Sequence, residues 1–161
     1  MEALTAPATP RVLLLDARAD GIDNERALRT RVRARALSER SRAAYVSRSY
    51  SFPLALIASH SDRVGVDLER VAPCDERFRR SICTPDEEAM GAWHSDAELT
   101  SLWASKEALA KALGDALRYD PRRLDSPIGW RDGACGPWRA RAVDVGDGYR
   151  AWICWRARGQ D

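Results

Sequence analysis

The strand-forming segments of this 161-residue chain are short and apolar, and helical segments do not alternate with them regularly. Regular alternation would predict a parallel sheet with helices on both faces, whereas irregular mixing favours an α+β fold. The segments with strand character are 11–17, 52–59, 63–69, 138–145 and 148–157. Because the last two alternate in polarity and are joined at Gly146-Asp147-Gly148, we expect them to form an antiparallel pair.

The first three strand segments predict a second group. Segments 52–59 and 63–69 are separated by the polar turn His60-Ser61-Asp62, so we expect them to form a hairpin. Segment 11–17, with the sequence RVLLLDA, predicts a buried strand.

Helix starts are marked by side chains that can bond to the unpaired N–H groups of a first turn. Asn24 precedes a helical pattern over 25–46, which we expect to break near Ser38. Thr84-Pro85-Asp86-Glu87 has the residues of a capping box, with proline at the first helical position. A third helix is predicted over the segment that ends at Gly114, a residue typical of helix C-termini.

Charge and hydrophobicity argue against several classes of partner. The net charge is only +2 and acids are interspersed with the basic residues, so the sequence gives little support for binding to nucleic acid or to a membrane surface. The apolar runs 12–15 and 54–58 are far shorter than the ~20 residues of a membrane span. The N-terminal segment lacks the pattern of an export signal, and the four cysteines include no C-x-x-C pair. We therefore expect a cytoplasmic protein with reduced thiols.

Two acids, Asp67 and Glu69, are two residues apart in a predicted strand. Their side chains should therefore share one face of the strand, while Val66 and Leu68 point to the buried face. Two crowded carboxylates repel each other unless a cation or a proton lies between them, and carboxylate oxygens are the ligands that Mg²⁺ prefers. The pattern is also compatible with pairing to neighbouring surface arginines, and the strand alone does not choose between these two interpretations.

Only two of the 26 basic residues are lysines, and both flank Glu107 in the third predicted helix. Lys106 and Lys111 could be chance survivors of a bias toward arginine on an exposed face. Alternatively, one or both positions require a compact ammonium group, which arginine cannot replace. Trp103, Glu107 and Lys111 are spaced i, i+4, i+8 and should share a face, which could bring a third carboxylate opposite the acidic pair. Such a site could hold Mg²⁺ and a phosphorylated substrate.

The segment VGVDLE (64–69) followed by LWASKEALAK (102–111) resembles the paired signature of the 4′-phosphopantetheinyl transferase superfamily. Each half of the signature is weak alone, but the order and distance of the two halves are specific. The helix start TPDEE (84–88) is similar to a third element of the family, and RVLLLDARAD (11–20) is similar to the beginning of its larger, two-half members.

The resemblance implies an α+β fold of two similar halves with antiparallel sheets and an active site between them. The N-terminal half, 1–62, would be reduced, and 63–161 would carry both motifs, the two forming one compact unit. The implied activity is Mg²⁺-dependent transfer of the phosphopantetheine arm of coenzyme A to a serine of an acyl or peptidyl carrier protein.

The family motifs also imply roles for individual residues. Asp67, Glu69 and Glu107 would hold Mg²⁺, and Asp67, Glu107 and Lys111 would form the catalytic set. Glu107, or a water on the metal, would help to deprotonate the attacking hydroxyl. Lys111 would contact a coenzyme A phosphate, and Lys106 would lie beside it.

The chain departs from the family pattern in its first half. Larger members carry a Ser-His-Ser whose histidine lies near coenzyme A, but here Ser59-His60-Ser61 falls in the predicted hairpin turn. The usual position holds Ser47-Arg48-Ser49, so we interpret His60 as a decoy and Arg48 as the positional substitute. The usual Gly-Lys-Pro-type nucleotide element is absent. These departures keep two alternatives open: a repurposed or degenerate member acting on a different small substrate, or a protein that binds a carrier or partner without transferring the arm.

A shortened first half could leave apolar surface uncovered, and large exposed apolar patches are usually interaction sites. We therefore expect a possible homodimer that buries tryptophans from 138–155 or the shortened N-terminal face.

Overall fold

Two antiparallel sheets, each with a helix on its outer face, make up the computed structural model, which describes residues 9–91 and 95–157. The first sheet has the order β1-β3-β2 and contains β1 (Arg11–Asp16), β2 (Tyr45–Ser51) and β3 (Leu54–His60). The second has the order β4-β7-β6-β5 and contains β4 (Val64–Arg70), β5 (Ala134–Cys135), β6 (Trp138–Val143) and β7 (Tyr149–Arg156). The helices are α1 (Glu25–Arg40), α2 (Glu76–Ile82), α3 (Pro85–Met90) and α4 (Asp96–Leu113). The predicted α+β class with antiparallel sheets is confirmed.

The two sheets pack face to face through one apolar cluster, to which Leu56 of β3, Val66 and Leu68 of β4, and Ile153 of β7 belong. The expected burial of Val66 and Leu68 is confirmed, and the other face of β4 is left for α4. Helix α4 covers the second sheet with Ala108, Leu109 and Ala112, as α1 covers the first. The layers therefore run α1, first sheet, second sheet, α4.

The predicted hairpin of 52–59 with 63–69 is wrong. Strand β3 pairs with β1 and β2, and β4 pairs with β7 in the other sheet. The reason lies in β3, which is buried along its whole length because it is the central strand of the first sheet. The residues after His60 carry the chain from one sheet to the other, so β3 and β4 stack through their apolar faces instead of pairing edge to edge. The hairpin is formed by β2 and β3.

Two other sequence expectations change in the first half. Segment 11–17 forms a strand, but β1 is an edge strand whose Leu14 is 49% exposed. Helix α1 starts after Asn24, whose side chain accepts the Ala27 N–H as expected, but it ends at Arg40. Part of the helical pattern predicted up to residue 46 belongs to β2 instead, because the β2–β3 pairing outweighs local helix propensity there.

The helix signals of the second half are confirmed. Thr84 and Glu87 form a complete capping box at α3, and Ser95 caps α4 in the same way. Gly114 ends α4 with a positive φ of 82°, which favours glycine. The terminal strand pair is β6–β7.

The described tryptophans of 138–155 contribute to the core. Trp155 is buried between the sheets, while Trp138 and Trp152 are half-buried and pack against the cluster beneath α4. The homodimer therefore stays a prediction, and much of the tryptophan surface that it was expected to bury is already buried within the chain. None of the helices in 9–91 and 95–157 combines the length and apolar character needed to cross a bilayer.

Gly65 fixes how closely α4 approaches the second sheet. A Cβ at this position would lie 2.0 Å from the carbonyl oxygen of Ala108, 2.5 Å from the amide nitrogen of Ala112 and 2.9 Å from the Cβ of Lys111. All three atoms belong to α4, and two of them are backbone atoms that cannot rotate away. Only glycine lets the helix rest directly on β4.

We expect Gly65→Ala to lower the free energy of unfolding by about 2–3 kcal/mol, because α4 must move away from β4 or strain its backbone. Urea denaturation measures the change. Gly129→Ala is the matched control, because a Cβ there meets no atom within 4 Å, and its effect should stay below about 1 kcal/mol. Equal stability of the two variants would contradict this description of the helix contact.

Candidate active site

The outer edge of β4 is bonded to side chains instead of to another strand. Strand β4 is the first strand of its sheet, and β2, the last strand of the other sheet, lies beside it. The hydroxyl oxygen of Ser47 accepts the N–H of Val66 at 3.1 Å, and that of Ser49 accepts the N–H of Leu68 at 3.1 Å. The ammonium of Lys111 donates to the carbonyl of Val66 at 3.0 Å. These contacts satisfy edge groups that would otherwise be costly to bury, and they join both sheets and α4 at one place.

Asp67 lies at the centre of this junction and is only 3% exposed. Its Oδ1 accepts hydrogen bonds from the Ser49 hydroxyl at 3.0 Å and from the Lys111 ammonium at 2.7 Å. Its Oδ2 is buried, and no residue described by the structure donates to it. A buried carboxylate oxygen without a donor is costly, so Oδ2 marks a position where a ligand would be stabilising.

Glu69 lies on the same face of β4, as the alternation predicts, and its carboxyl group is difficult to ionise. Burial raises the pKa of Glu69 to about 7, and the negative charge of Asp67 adds to this effect. Protonated Glu69 can share its hydrogen with Asp67, which further favours the neutral form, while Lys111 and Trp103 act in the opposite direction. The two acids therefore form a crowded pair that one positive charge does not neutralise.

Glu107 brings a third carboxyl group toward this pair from α4. Burial raises the pKa of Glu107, and the charge of Asp67 raises it further, whereas Tyr119 and Lys111 favour ionisation. The hydroxyl of Tyr119 donates to Glu107 Oε1. Burial and the neighbouring carboxylate of Glu107 raise the pKa of Tyr119 in turn, so its hydroxyl keeps its proton.

The expected shared face of α4 agrees with these contacts. Lys111 bonds to Asp67, and Trp103, two turns earlier, interacts with Glu69. Glu107 lies between them and is influenced electrostatically by both Asp67 and Lys111. The i, i+4, i+8 spacing thus turns one face of the helix toward the acids of β4.

Lys106 does not reach this face. It is fully buried, and its ammonium donates to the carbonyl of Ile82 at 2.5 Å, to Glu87 Oε2 at 2.6 Å and to the carbonyl of Pro121 at 2.9 Å. Because these acceptors match the three hydrogens of an ammonium group, Lys106 ties α2, α3 and the segment after α4 together. The two lysines therefore have different places, and Lys111 is the one at the carboxylates.

Arg48, expected near coenzyme A, is not brought to the acids either. It alternates along β2 with Ser47 and Ser49, which face β4, so it lies on the opposite face with Val46 and Tyr50. That face is covered by α1.

His60, interpreted as a decoy, is buried at the end of β3. Its Nδ1 lies within hydrogen-bond distance of the backbone N–H and carbonyl of Asp62 in the β3–β4 connection.

Four residues of the site escaped the sequence reasoning. Ser47 and Ser49 did carry a signal, because two serines spaced by two on a strand point to one face. Gly65 was visible only as part of a motif, and its close contact with α4 depends on the packed fold. Tyr119 had no sequence signal, since it reaches Glu107 through the turn that follows α4.

The donor set fits a hard divalent cation in its chemistry. It offers three carboxyl groups and no sulfur, and Asp67 Oδ2 has no donor. Burial, with a smaller contribution from the charge of Asp67, raises the pKa values of Glu69 and Glu107. The three are not arranged as a finished metal centre, because residues 9–91 and 95–157 contain no group of three or more Asp, Glu, His or Cys side chains placed to hold an ion. Lys111 and Tyr119 instead occupy one oxygen each of Asp67 and Glu107. The metal ligands therefore stay a prediction.

Comparison with known proteins adds one finding. The family model described as 4′-phosphopantetheinyl transferase superfamily matches residues 63–154, from just before β4 to near the end of β7. This span contains Asp67, Glu69, Glu107, Lys111 and Tyr119. No curated protein matches the chain.

We expect the free energy of unfolding of the metal-free protein, relative to Glu69→Gln, to decrease as the pH rises from about 4.5 to about 7. The folded state raises the pKa of Glu69 from 4.5 to about 7, so the stabilising protonated form is lost across this interval. Allowing for partial exposure, the loss should be about 1–2 kcal/mol. Urea denaturation in a chelating buffer measures both proteins.

Asp147→Asn, on the exposed β6–β7 turn, serves as the control and should follow the wild type at every pH. Parallel curves of unfolding free energy against pH for the wild type and Glu69→Gln would contradict a raised pKa of Glu69 in the folded state.

Proposed function

Because this chain belongs to the 4′-phosphopantetheinyl transferase superfamily, we propose that it transfers the phosphopantetheine arm of coenzyme A to a serine of an acyl or peptidyl carrier protein. The observation that carries the proposal is the environment of Asp67. Asp67 has a donor-free Oδ2 and interacts electrostatically with Glu69, while α4 supplies Glu107 and the ammonium of Lys111 from one face. This is the combination of negative and positive groups that a phosphoryl transfer to a hydroxyl group needs.

In the proposed reaction, the serine oxygen attacks the pyrophosphate phosphorus that bears the pantetheine arm. The serine O–H bond and the bridging P–O bond break, and a new P–O bond joins the arm to the carrier. Adenosine 3′,5′-bisphosphate leaves with the electron pair of the broken bond. The protein must therefore accept one proton and stabilise negative charge on the leaving phosphate.

Asp67, Glu69 and Glu107 are the proposed holders of Mg²⁺. When bound, Mg²⁺ would supply neutralisation of the charge on the pyrophosphate oxygens. The donor-free Oδ2 of Asp67 and the raised pKa of Glu69 support this set. A bound cation would give Oδ2 a partner and would stabilise the ionised form of Glu69.

Glu107 is the proposed proton acceptor. A general base works best when its pKa is close to the working pH, and burial together with Asp67 raises the pKa of Glu107 in that direction. Tyr119 bonds to Oε1, so Oε2 is the oxygen that can face the serine hydroxyl.

Lys111 is the proposed contact to the phosphate of the leaving group. Its side chain is partly exposed, and its ammonium lies 2.7 Å from Asp67 Oδ1. A compact point charge there can move between the carboxylate and a phosphate oxygen. A need for such a compact charge explains why position 111 has a lysine in a chain whose other basic residues, apart from Lys106, are arginines.

The reaction requires coenzyme A and an apo carrier protein, and we place it in the cytoplasm. The four cysteines are all free thiols in the structure, which suits a reducing compartment.

The position of Arg48 favours a second candidate function. Because Arg48 lies on the α1 face of β2, the residue expected to contact a nucleotide is not beside the carboxylates. A member that keeps the carboxylates and Lys111 but acts on a smaller phosphorylated substrate would fit this feature. Calorimetric titration with coenzyme A in Mg²⁺ distinguishes the two: binding supports arm transfer, and metal binding without coenzyme A binding supports the smaller substrate.

We expect mass spectrometry of apo carrier proteins, incubated with coenzyme A, Mg²⁺ and the wild-type protein, to show the mass gain of one phosphopantetheine arm. Glu107→Gln should lower the rate by roughly 10²–10⁴-fold, because the proton acceptor is lost. Lys111→Ala should lower it as well, through loss of the charge near the leaving phosphate.

Glu25→Gln is the matched control for Glu107→Gln, because it makes the same change on the exposed surface of α1 and should leave the rate unchanged. A folded wild-type protein that modifies none of several apo carriers, or a Glu107→Gln variant of undiminished rate, would contradict the proposed function.

A further inference from the structure

The turn after α4 returns the chain to the active-site face of the helix. Gly114 ends α4, and the N–H of Asp115 bonds back to the carbonyl of Ala110 at 2.9 Å. The carbonyl of Asp115 then accepts the N–H groups of Arg118 at 3.0 Å and of Tyr119 at 3.1 Å. This compact turn brings Tyr119 against Glu107, which lies earlier on α4.

Lys106 anchors the returning segment. Its buried ammonium bonds to the carbonyl of Pro121 at 2.9 Å, only two residues beyond Tyr119. The same group also donates to Glu87 and to the carbonyl of Ile82, so the anchor belongs to the buried interior of the second half. The residue next to Glu107 on the helix thereby sets the position of the tyrosine that contacts Glu107.

The tyrosine hydroxyl restricts the Glu107 carboxylate. The half-buried Tyr119 donates to Oε1, while no residue in the described ranges donates to Oε2. A glutamate has three rotatable side-chain bonds, and a fixed donor on one oxygen removes most of the orientations that the carboxylate could otherwise take. Asp67 is held in a similar way, because the Ser49 hydroxyl donates to its Oδ1 while its Oδ2 has no donor and is left for a ligand.

We infer that Tyr119 is a positioning residue that holds Glu107 Oε1 so that Oε2 is presented to the cation and the reacting hydroxyl. This inference rests on the proposed function, because it assigns Tyr119 a role in that same site. Donors behind a ligand carboxylate commonly tune metal affinity 10–100-fold although they do not touch the metal. A purely structural Tyr119 would instead stabilise only the turn after α4.

The experiment compares the wild type with Tyr119→Phe, which keeps the ring and removes only the hydroxyl. The probe is Mn²⁺ alone, without coenzyme A or carrier, and the free Mn²⁺ signal in electron paramagnetic resonance gives the dissociation constant. We expect that constant to rise roughly 10–100-fold in Tyr119→Phe. In the transfer assay at saturating Mg²⁺, kcat should fall, while the KM for coenzyme A should change less than about twofold, because Tyr119 acts through Glu107 and not on the nucleotide.

Tyr45→Phe is the control, since Tyr45 is 44% exposed on β2 and should leave both measurements unchanged. A wild type that binds Mn²⁺ and transfers the arm, with a Tyr119→Phe variant of unchanged Mn²⁺ affinity, would overturn this inference alone. A wild type that neither binds Mn²⁺ nor transfers the arm would remove the proposed function and, with it, the role of Tyr119.

Discussion

The hydrogen bonds that Asp67 Oδ1 receives from Ser49 and Lys111 connect the parts of this molecule on which its site depends. Ser49 belongs to the first sheet, Asp67 to the second and Lys111 to α4, so one carboxylate oxygen joins three layers. The connection is possible because β4 has an open edge, where side chains take the place of a neighbouring strand. An open edge is a liability in most sheets, but here it is covered and supplies the floor of the candidate active site.

The second half adds two constraints that bring the chemical groups to that edge. Because Gly65 has no side chain to hold α4 away from β4, the helix lies close enough for Lys111 to reach Asp67. Lys106, buried beneath the other face of α4, holds the segment that carries Tyr119 back to Glu107. One lysine therefore organises the interior and the other contributes charge to the site. This division explains why two ammonium groups five residues apart on one helix can be required for different physical reasons.

Local periodicity predicted the part of the site that depends on single elements. A period of two placed Asp67 and Glu69 on one face of β4, and helical spacing placed Glu107 and Lys111 on one face of α4. Contacts set by the tertiary fold were beyond that reasoning. The short polar turn His60-Ser61-Asp62 between two strand segments made a hairpin the simplest interpretation, and nothing in it showed that the chain passes from one sheet to the other there. Lys106 likewise gave no sign that three acceptors from distant segments would surround it. Family resemblance supplied the proposed activity, whereas the hydrogen-bond partners of each side chain came only from the structure.

The proposed cation site includes the donor-free oxygen of Asp67 and is shared by Glu69 and Glu107. Anomalous X-ray scattering from a crystal of the wild-type protein grown with Mn²⁺ tests it most directly. We expect one strong anomalous peak within coordination distance of Asp67 Oδ2, flanked by carboxylate oxygens of Glu69 and Glu107. An Mn²⁺ peak elsewhere on the molecule, or none at this site at saturating metal, would contradict it.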